Sequence, residues 1–179
     1  MPYKRLNIII AGSMKKLKIN IAVLALVVMS HGILQAQENF DFTIQLLDGE
    51  EIQFSEFNAG GITLVNFWAL WCKPCRNEMK ELEKLYGMYK ESGFEILAIN
   101  QDTPRSAAKV ESFVSSQNLS FNIGLDPNRI LSDMFNVQAI PHTVLFDREG
   151  REVYRSTGYL PGDEFKLETE INKILEQNN

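Results

Sequence analysis

The organisation of this chain is decided by the stretch Val65-Asn66-Phe67-Trp68-Ala69-Leu70-Trp71-Cys72-Lys73-Pro74-Cys75, which contains both of its cysteines. The stretch continues an apolar run over residues 62–68, and such a run predicts a strand that is buried on both faces of a sheet. After Cys75, apolar residues recur at alternating steps of four and three, which predicts a helix ending near Ser92 and Gly93. The two cysteines therefore lie where a buried strand meets a helix.

Two cysteines separated by two residues at the start of a helix are typical of a redox-active dithiol. Such a pair can close a disulfide while one sulfur stays accessible to a partner, whereas a structural disulfide would close a longer loop. A structural disulfide or a chance pair of buried thiols is the alternative interpretation.

The residues between the cysteines indicate which sulfur attacks. If Cys72 is the N-cap of the helix, the amide of Cys75 is the natural donor to its sulfur, because Pro74 has no amide hydrogen. This hydrogen bond, the helix dipole and the charge of Lys73 all lower the expected pKa of the Cys72 thiol below its free value of about 8.5. Cys72 is the predicted nucleophile, and Cys75, which faces the core, is the predicted resolving thiol.

The first 36 residues have the pattern of a targeting segment. They combine five basic residues and no acidic residue with an apolar stretch over residues 21–29, and Leu34-Gln35-Ala36 offers a secretory type of cleavage site. The apolar stretch is short for a spanning helix of about 20 residues, so cleavage is favoured over a membrane anchor. We predict a signal peptide over residues 1–36, with Met14 as an alternative start, and a periplasmic or other extracytoplasmic domain over residues 37–179.

The charge of the predicted mature chain argues against some classes of partner. Residues 37–179 contain 13 basic and 23 acidic side chains, which gives a net charge of about −10. Such an acidic surface argues against nucleic acid or anionic lipid as a partner. An exported chain with only two cysteines also has no separate disulfide framework, which favours a pair kept for chemistry.

The rest of the sequence predicts alternating strands and helices. Asp48-Gly49-Glu50 separates two β-forming runs, over 40–47 and 51–54, and predicts an N-terminal hairpin, while residues 55–61 predict a turn. The further predicted elements are strands over 94–99, 120–125, 140–146 and 151–157, and helices over 105–117, 128–135 and 162–177. This order indicates an α/β sandwich in which a mixed sheet is covered by helices on both faces.

The cysteine stretch and the downstream Ile140-Pro141-His142-Thr143 together resemble the thioredoxin superfamily, and more closely its exported TlpA/ResA-like branch. The resemblance implies a thioredoxin-like three-layer sandwich with an N-terminal β-hairpin and an extra helix and strand between Asp102 and Leu125. It also implies an exported thiol-disulfide oxidoreductase that acts as a reductase on protein disulfides or apocytochrome c thiols through a mixed disulfide. The redox-active Cys72–Cys75 disulfide would be its only cofactor. Its expected partners are exported dithiol or disulfide proteins and a membrane electron donor, and we expect a monomer without a metal ion.

The resemblance also gives expected roles to residues around the dithiol, where Lys73 and Pro74 would shape the site. Pro141 matches the family's cis-proline, which would present the backbone of Ile140 to a substrate strand and keep a metal from bridging the thiols. The alternative for Pro141 is a proline that opens an edge strand. Trp71 is expected to shield the neighbouring sulfur and offer a docking surface, and Trp68 is expected in the core.

Three further polar residues complete the candidate site. Asn66 stands where thioredoxin has a buried Asp that assists the second thiol, and an amide cannot take its proton. Glu78 lies three residues past Cys75 on the same side of the helix, where the TlpA/ResA-like branch carries an acid, and we predict that it tunes or relays the proton of Cys75. The alternative is a solvated helix residue. His142 is predicted at the surface near Cys72, with a functional role left open.

Two other functions are weighed against the leading one. A copper-handling module would use Cys72, Cys75 and His142 as ligands, and it would need a trans or displaced Pro141 loop. A peroxidase of the peroxiredoxin type would require Pro at position 65 and Thr at position 69. Val65 and Ala69 stand there, which argues against the peroxidase.

Overall fold

The computed structural model describes residues 41–176, so the predicted signal peptide over residues 1–36 lies outside the described residues. The central element is a five-stranded mixed sheet with the strand order β5-β4-β3-β6-β7. The strands are β1 (Thr43–Gln45), β2 (Glu51–Gln53), β3 (Ile62–Trp68), β4 (Phe94–Asn100), β5 (Asn122–Leu125), β6 (His142–Phe146) and β7 (Glu152–Thr157). The helices are α1 (Phe54–Phe57), α2 (Lys73–Tyr89), α3 (Ala107–Ser116), α4 (Ile130–Met134) and α5 (Asp163–Glu176).

Strand β3 occupies the centre of the sheet. It pairs in parallel with β4 and antiparallel with β6, and all seven of its residues are buried. Burial on both faces explains why its sequence is nearly continuous in apolar residues instead of alternating. Two polar residues, Thr63 and Asn66, interrupt the apolar run, and Asn66 lies on the face that β3 turns toward α2.

The two faces of the sheet carry different layers. Met79 and Leu82 of α2, Val110 of α3 and Ile171 of α5 share one apolar cluster against one face. The other face is covered by the β1–β2 hairpin and by the short helices α1 and α4, whose residues contribute to a second cluster. The predicted thioredoxin-like three-layer sandwich is therefore confirmed, and α3 and β5 form the predicted insertion.

The N-terminal hairpin forms its own two-stranded sheet and is attached to the edge strand β5. The amide of Leu47 donates a hydrogen bond to the carbonyl of Ile123 at 2.8 Å. Gly124 allows the approach, because a Cβ atom at this position would lie 3.1 Å from Cγ1 of Ile44 and closer still to its Cδ1. A residue without a side chain is therefore favoured where the hairpin packs on β5.

Helix α2 begins at Lys73, directly after Cys72. A single 3₁₀ turn (Lys90–Ser92) follows it, and Gly93 ends the turn at φ 83° before β4 begins. A glycine is favoured there because a Cβ atom disfavours this left-handed conformation. The predicted end of the helix near Ser92 and Gly93 is confirmed, because the 3₁₀ turn continues the helical segment from Tyr89 to Ser92.

The prediction of a turn over residues 55–61 is wrong in part, because α1 begins at Phe54 and includes residues 55–57. Phe54 is 2% exposed and packs beneath the sheet, and its carbonyl accepts a hydrogen bond from the amide of Asn58 at 2.8 Å. Burial of the Phe54 ring thus stabilises a helical turn. The pattern did not predict it, because the surrounding residues are mostly polar or glycine and show no helical period. Within residues 41–176, no helix is long and apolar enough to cross a bilayer.

Candidate active site

The two cysteines form a disulfide at the start of α2, with 5.3 Å between their Cα atoms. Cys72 is the N-cap of the helix, and its sulfur accepts a hydrogen bond from the amide of Cys75 at 3.2 Å. Pro74 lies in the first turn of the helix. Its missing amide hydrogen costs no hydrogen bond there, because amides of the first turn have no partner within the helix. Cys72 is 5% exposed and Cys75 is completely buried, so the two sulfurs differ in access. This is the predicted capping geometry.

The backbone just before the dithiol is held by two side chains that the sequence did not single out. The amide of Leu70 donates to Oδ2 of Asp102 at 2.7 Å, and the carbonyl of Leu70 accepts from Nη1 of Arg76. Asn100 fixes the same carboxylate, because its Nδ2 donates to Oδ2 of Asp102 at 2.9 Å. These contacts fix the backbone just before Trp71, whose side chain is 70% exposed. The shielding and docking role of Trp71 stays a prediction.

The Ile140–Pro141 segment lies against the dithiol. The peptide bond between the two residues is cis, and the carbonyl oxygen of Ile140 is 3.7 Å from the sulfur of Cys72. Strand β6 starts immediately afterwards and lies between β3 and β7, so the edge-strand alternative for Pro141 is wrong. The structure thus brings Trp71, Cys72 and Ile140 to one end of the sheet. Lys73 and Pro74 are exposed on the first turn of α2.

Glu78 is buried on the face of α2 that packs against the sheet, with 6% of its surface exposed. Its Oε2 accepts a hydrogen bond from Nδ2 of Asn66 at 2.9 Å, and its Oε1 accepts one from Oγ1 of Thr143 at 3.0 Å. Burial raises the pKa of Glu78 to about 7, although both hydrogen bonds act to lower it. The alternative of a solvated helix residue is therefore wrong.

Thr143 is the member of this network that the sequence analysis missed. It closes a ring of three contacts, because Nδ2 of Asn66 also donates to its Oγ1 at 2.9 Å. A signal was available in the Ile140-Pro141-His142-Thr143 motif, because Thr143 is the second residue of β6 and lies two residues past Pro141. The register pairs Thr143 directly with Asn66 on β3.

A small cavity of about 10 Å³ borders Glu78 on the side of Thr143, Tyr159 and Glu164. This is about the smallest space in which a single water molecule fits, and the polar groups around it can hydrogen-bond to water. Tyr159 donates its hydroxyl to Oε2 of Glu164 at 2.8 Å, which places a surface carboxylate on the far side of the cavity. The buried carboxyl group of Glu78 and the hydrogen-bonded pair of Tyr159 and Glu164 therefore lie on opposite sides of a space that holds one water molecule.

The prediction that His142 lies at the surface is wrong, because the side chain is buried with 4% exposure. Its Nδ1 lies 2.8 Å from Oγ1 of Thr157, and its Nε2 lies 2.8 Å from Nη1 of Arg155. Pairing of β6 with β7 brings these two side chains over the imidazole, which is why the prediction was wrong. With both nitrogens engaged, the geometry does not favour His142 as a copper ligand. Among residues 41–176, no group of three His, Cys, Asp or Glu is placed to hold a metal ion.

This chain is similar in sequence and in fold to known proteins. Residues 36–154 match the family model described as the AhpC/TSA family. The thiol-disulfide oxidoreductase ResA of Halalkalibacterium halodurans is 38% identical over 122 residues, which cover 68% of this chain and 68% of that protein. ResA of Geobacillus kaustophilus is 35% identical over 133 residues, covering 74% of this chain and 75% of that protein. The chain belongs to the ResA/TlpA-like group of the thioredoxin superfamily.

Solved structures agree with this assignment. A candidate thiol:disulfide interchange protein DsbE from Chlorobium tepidum superposes with a TM-score of 0.70 at 27% identity, over 76% of this chain and 94% of that chain. The thioredoxin domain of a thiol-disulfide oxidoreductase from Bacteroides vulgatus gives a TM-score of 0.60 at 26% identity, over 74% of this chain and 92% of that chain. This ResA/TlpA-like protein is a thiol-disulfide oxidoreductase. It keeps Val65 and Ala69 where a peroxidase motif requires Pro and Thr.

Proposed function

We propose that this protein is an exported reductase that delivers two electrons from the Cys72–Cys75 dithiol to a disulfide of an exported client, apocytochrome c included. The exchange chemistry in this proposal is carried by one arrangement: Cys72 caps helix α2, and the buried Cys75 and Glu78 follow it on the same helix, three residues apart. The second cysteine of the motif shares its helix with a buried carboxyl group whose pKa lies near neutrality, at about 7. A group with such a pKa can take a proton and give it back at physiological pH.

The first step uses the sulfur at the helix N-terminus. The reduced Cys72 attacks one sulfur of the client disulfide as a thiolate, and the client's sulfur–sulfur bond breaks. The leaving client thiolate takes a proton from solvent, and Cys72 remains joined to the client in a mixed disulfide. The amide of Cys75, which lies 3.2 Å from the Cys72 sulfur in the oxidised protein, stabilises negative charge on that sulfur.

The second step needs the buried cysteine as a nucleophile. Cys75 gives its proton to the Glu78 carboxylate, and the resulting thiolate attacks the sulfur of Cys72. The mixed disulfide breaks, the second client thiolate leaves, and the Cys72–Cys75 disulfide forms. Two electrons have then passed to the client, and a dithiol of a membrane partner restores the reduced state by the reverse exchange.

A trapping experiment tests the order of the two cysteines. Purified Cys75→Ala should accumulate a stable mixed disulfide with a model peptide disulfide, because the resolving thiol is missing. The matched Cys72→Ala variant should accumulate none, since Cys75 is completely buried. Mass spectrometry after alkylation counts the adducts, and equal trapping by both variants would refute the assignment. In the native host, the proteins trapped by Cys75→Ala identify the clients.

A kinetic experiment tests the role of Glu78. Glu78→Gln should slow resolution of the mixed disulfide by about 100-fold near neutral pH, the lower end of the range for general-base catalysis. The control is Glu83→Gln, which removes a carboxylate from the same helix that hydrogen-bonds to Ser120 instead. Stopped-flow measurement of client release distinguishes them, and equal rates for the two variants would remove Glu78 from the mechanism.

Direction and location need separate measurements. Equilibration with glutathione or dithiothreitol, followed by tryptophan fluorescence, should give a reduction potential below about −220 mV, as a reductant requires. A potential near −120 mV would instead make the protein an oxidant. Export predicts that protein recovered from the host's envelope fraction begins near residue 37, which intact mass measurement decides.

A further inference from the structure

Strand β6 is pinned on both of its faces immediately after the Ile140–Pro141 segment. On one face, Thr143 hydrogen-bonds to Glu78 and Asn66 beneath the dithiol. On the other face, the ring of His142 packs against Phe67 and is held by Thr157 and Arg155 of β7. The mechanism proposed above uses the first of these attachments and leaves the second without a role.

The contact with Arg155 determines the protonation state of the ring. An arginine side chain can only donate, so Nε2 of His142 must accept from Nη1 of Arg155 with its lone pair. Nδ1 then carries the proton and donates to Oγ1 of Thr157 at 2.8 Å. The observed arrangement therefore exists only with a neutral imidazole, because a proton on Nε2 would face the guanidinium.

Arg155 is itself fixed in place. Its Nε donates to Oε1 of Glu152 at 2.7 Å, and its Nη1 also donates to the carbonyl of Phe135, just beyond α4, at 2.9 Å. The guanidinium thus joins the edge strand, the end of a helix and the imidazole. The guanidinium cannot move with the imidazole without breaking these hydrogen bonds. Arg155 therefore fixes the position of the His142 ring.

The same end of β7 also holds the backbone beside the dithiol. The amide of Gly158, next to Thr157, donates to the carbonyl of Pro141 at 2.8 Å. The carbonyl of Ile140, one residue earlier, lies 3.7 Å from the sulfur of Cys72. The imidazole and this backbone bond therefore act together on the segment that borders the reactive sulfur.

We propose that His142 is a positioning residue whose neutral imidazole, locked between Thr157 and Arg155, holds the Ile140–Pro141 segment in place to receive a client chain beside Cys72. The inference rests on the proposed function, since it concerns docking of a client disulfide. It also makes docking sensitive to acid, because protonation of the imidazole places two cations in contact and releases the lock.

The surroundings of the ring give the direction of this sensitivity. The charged groups that face it come from β7, namely Arg155 and Glu152, whereas Phe67 of β3 and Phe135 present apolar rings or backbone. Burial lowers the pKa of His142, Arg155 lowers it further and Glu152 opposes them. The lock is therefore intact at neutral pH and is lost as the pH falls below the usual histidine value of 6.5.

The test compares two substrates of the reduced full chain. His142→Ala should raise the KM for a model peptide disulfide about tenfold, as expected for the loss of one or two hydrogen bonds. The rate with the small disulfide 2,2′-dithiodipyridine should change less than twofold, because this reagent needs only the sulfur of Cys72. Equal losses with both substrates would show a general disturbance of the dithiol and overturn the inference, as would an unchanged KM.

Three variants sharpen the result. His142→Gln, whose amide oxygen can accept from Arg155, should restore the KM to within about threefold and remove its rise between pH 7 and pH 5. Arg155→Gln should reproduce the KM of His142→Ala. The matched control Arg151→Gln loses a guanidinium bound to Asp147 and Glu149 and should leave the KM unchanged. No rescue by Gln, or an equal effect of Arg151→Gln, would refute the positioning role. If the wild type fails to reduce the peptide, the proposed function itself fails.

Discussion

The carboxyl group of Glu78 links protonation to stability. Its pKa rises from 4.5 in a free chain to about 7 in the folded protein, mainly through burial. A raised folded-state pKa contributes stability that is complete below pH 4.5 and is lost as the pH rises through 7. The wild type should therefore lose about 3 kcal/mol of unfolding free energy between pH 4.5 and pH 8 from this group alone.

Urea unfolding of the oxidised protein checks this prediction, because neither cysteine titrates in the disulfide. Glu78→Gln should lack this component of the pH dependence, so that it gains stability relative to the wild type as the pH rises. Glu83→Gln removes a partly exposed carboxylate that is hydrogen-bonded to Ser120, and it should follow the wild type. A difference between wild type and Glu78→Gln that stays constant with pH would contradict the raised pKa.

Thr143 tunes the same carboxyl group from the strand side. Its hydroxyl donates to Oε1 of Glu78 at 3.0 Å and thereby favours the ionised form. Thr143→Val keeps the shape and removes the donor, so we expect the pKa of Glu78 to rise by about one unit. The pH profile of mixed-disulfide resolution should shift upward accordingly. Ser156→Ala, which alters a neighbouring position on β7 without touching the carboxyl group, is the control, and identical profiles would contradict the prediction.

The reactive residues of the site could be predicted from the sequence, whereas most of the residues that hold them in place could not. Cys72, Cys75 and Glu78 are near one another along one helix, so their relation follows from helical spacing. Thr143 and Asp102 reach the site from 65 and 32 residues away, and only the sheet register brings them there. His142 was misplaced for the same reason, because the strand that buries it is 13 to 15 residues further along the chain.

At the scale of elements, packing of the hairpin on β5 depends on Gly124. A methyl group there would lie 3.1 Å from Cγ1 of the buried Ile44, and overpacking of this kind costs about 1–3 kcal/mol. Gly124→Ala should lower the unfolding free energy by that amount without changing the exchange rate with 2,2′-dithiodipyridine. Gly87→Ala on the open face of α2 should instead stabilise by up to about 1 kcal/mol, as an exposed helix position allows. Equal effects in urea unfolding would contradict this account of the hairpin.

The elements themselves could largely be predicted because their patterns are local. The apolar run over 62–68 matches β3 residue for residue, and the periodic apolar face of α2 follows from its packing on the sheet. Helix α1 was missed because a single turn is too short to show a period, and burial of Phe54 decides it. The attachment of the hairpin to β5 was also beyond pattern analysis, since it depends on the contact of Gly124 with Ile44.

At the scale of the whole molecule, the acidic balance of residues 37–179, 13 basic against 23 acidic side chains, should govern encounters with clients. A negative protein attracts cationic chains over a distance that salt shortens to about 10 Å at 0.1 M. At about 0.01 M ionic strength, we expect a peptide disulfide with net charge of about +4 to be reduced about tenfold faster than its isosteric anionic counterpart. The two rate constants should converge near 1 M salt, while a neutral peptide keeps its rate. Equal rates for the charged peptides at low salt would mean that the surface around Cys72 does not share the charge of the whole chain.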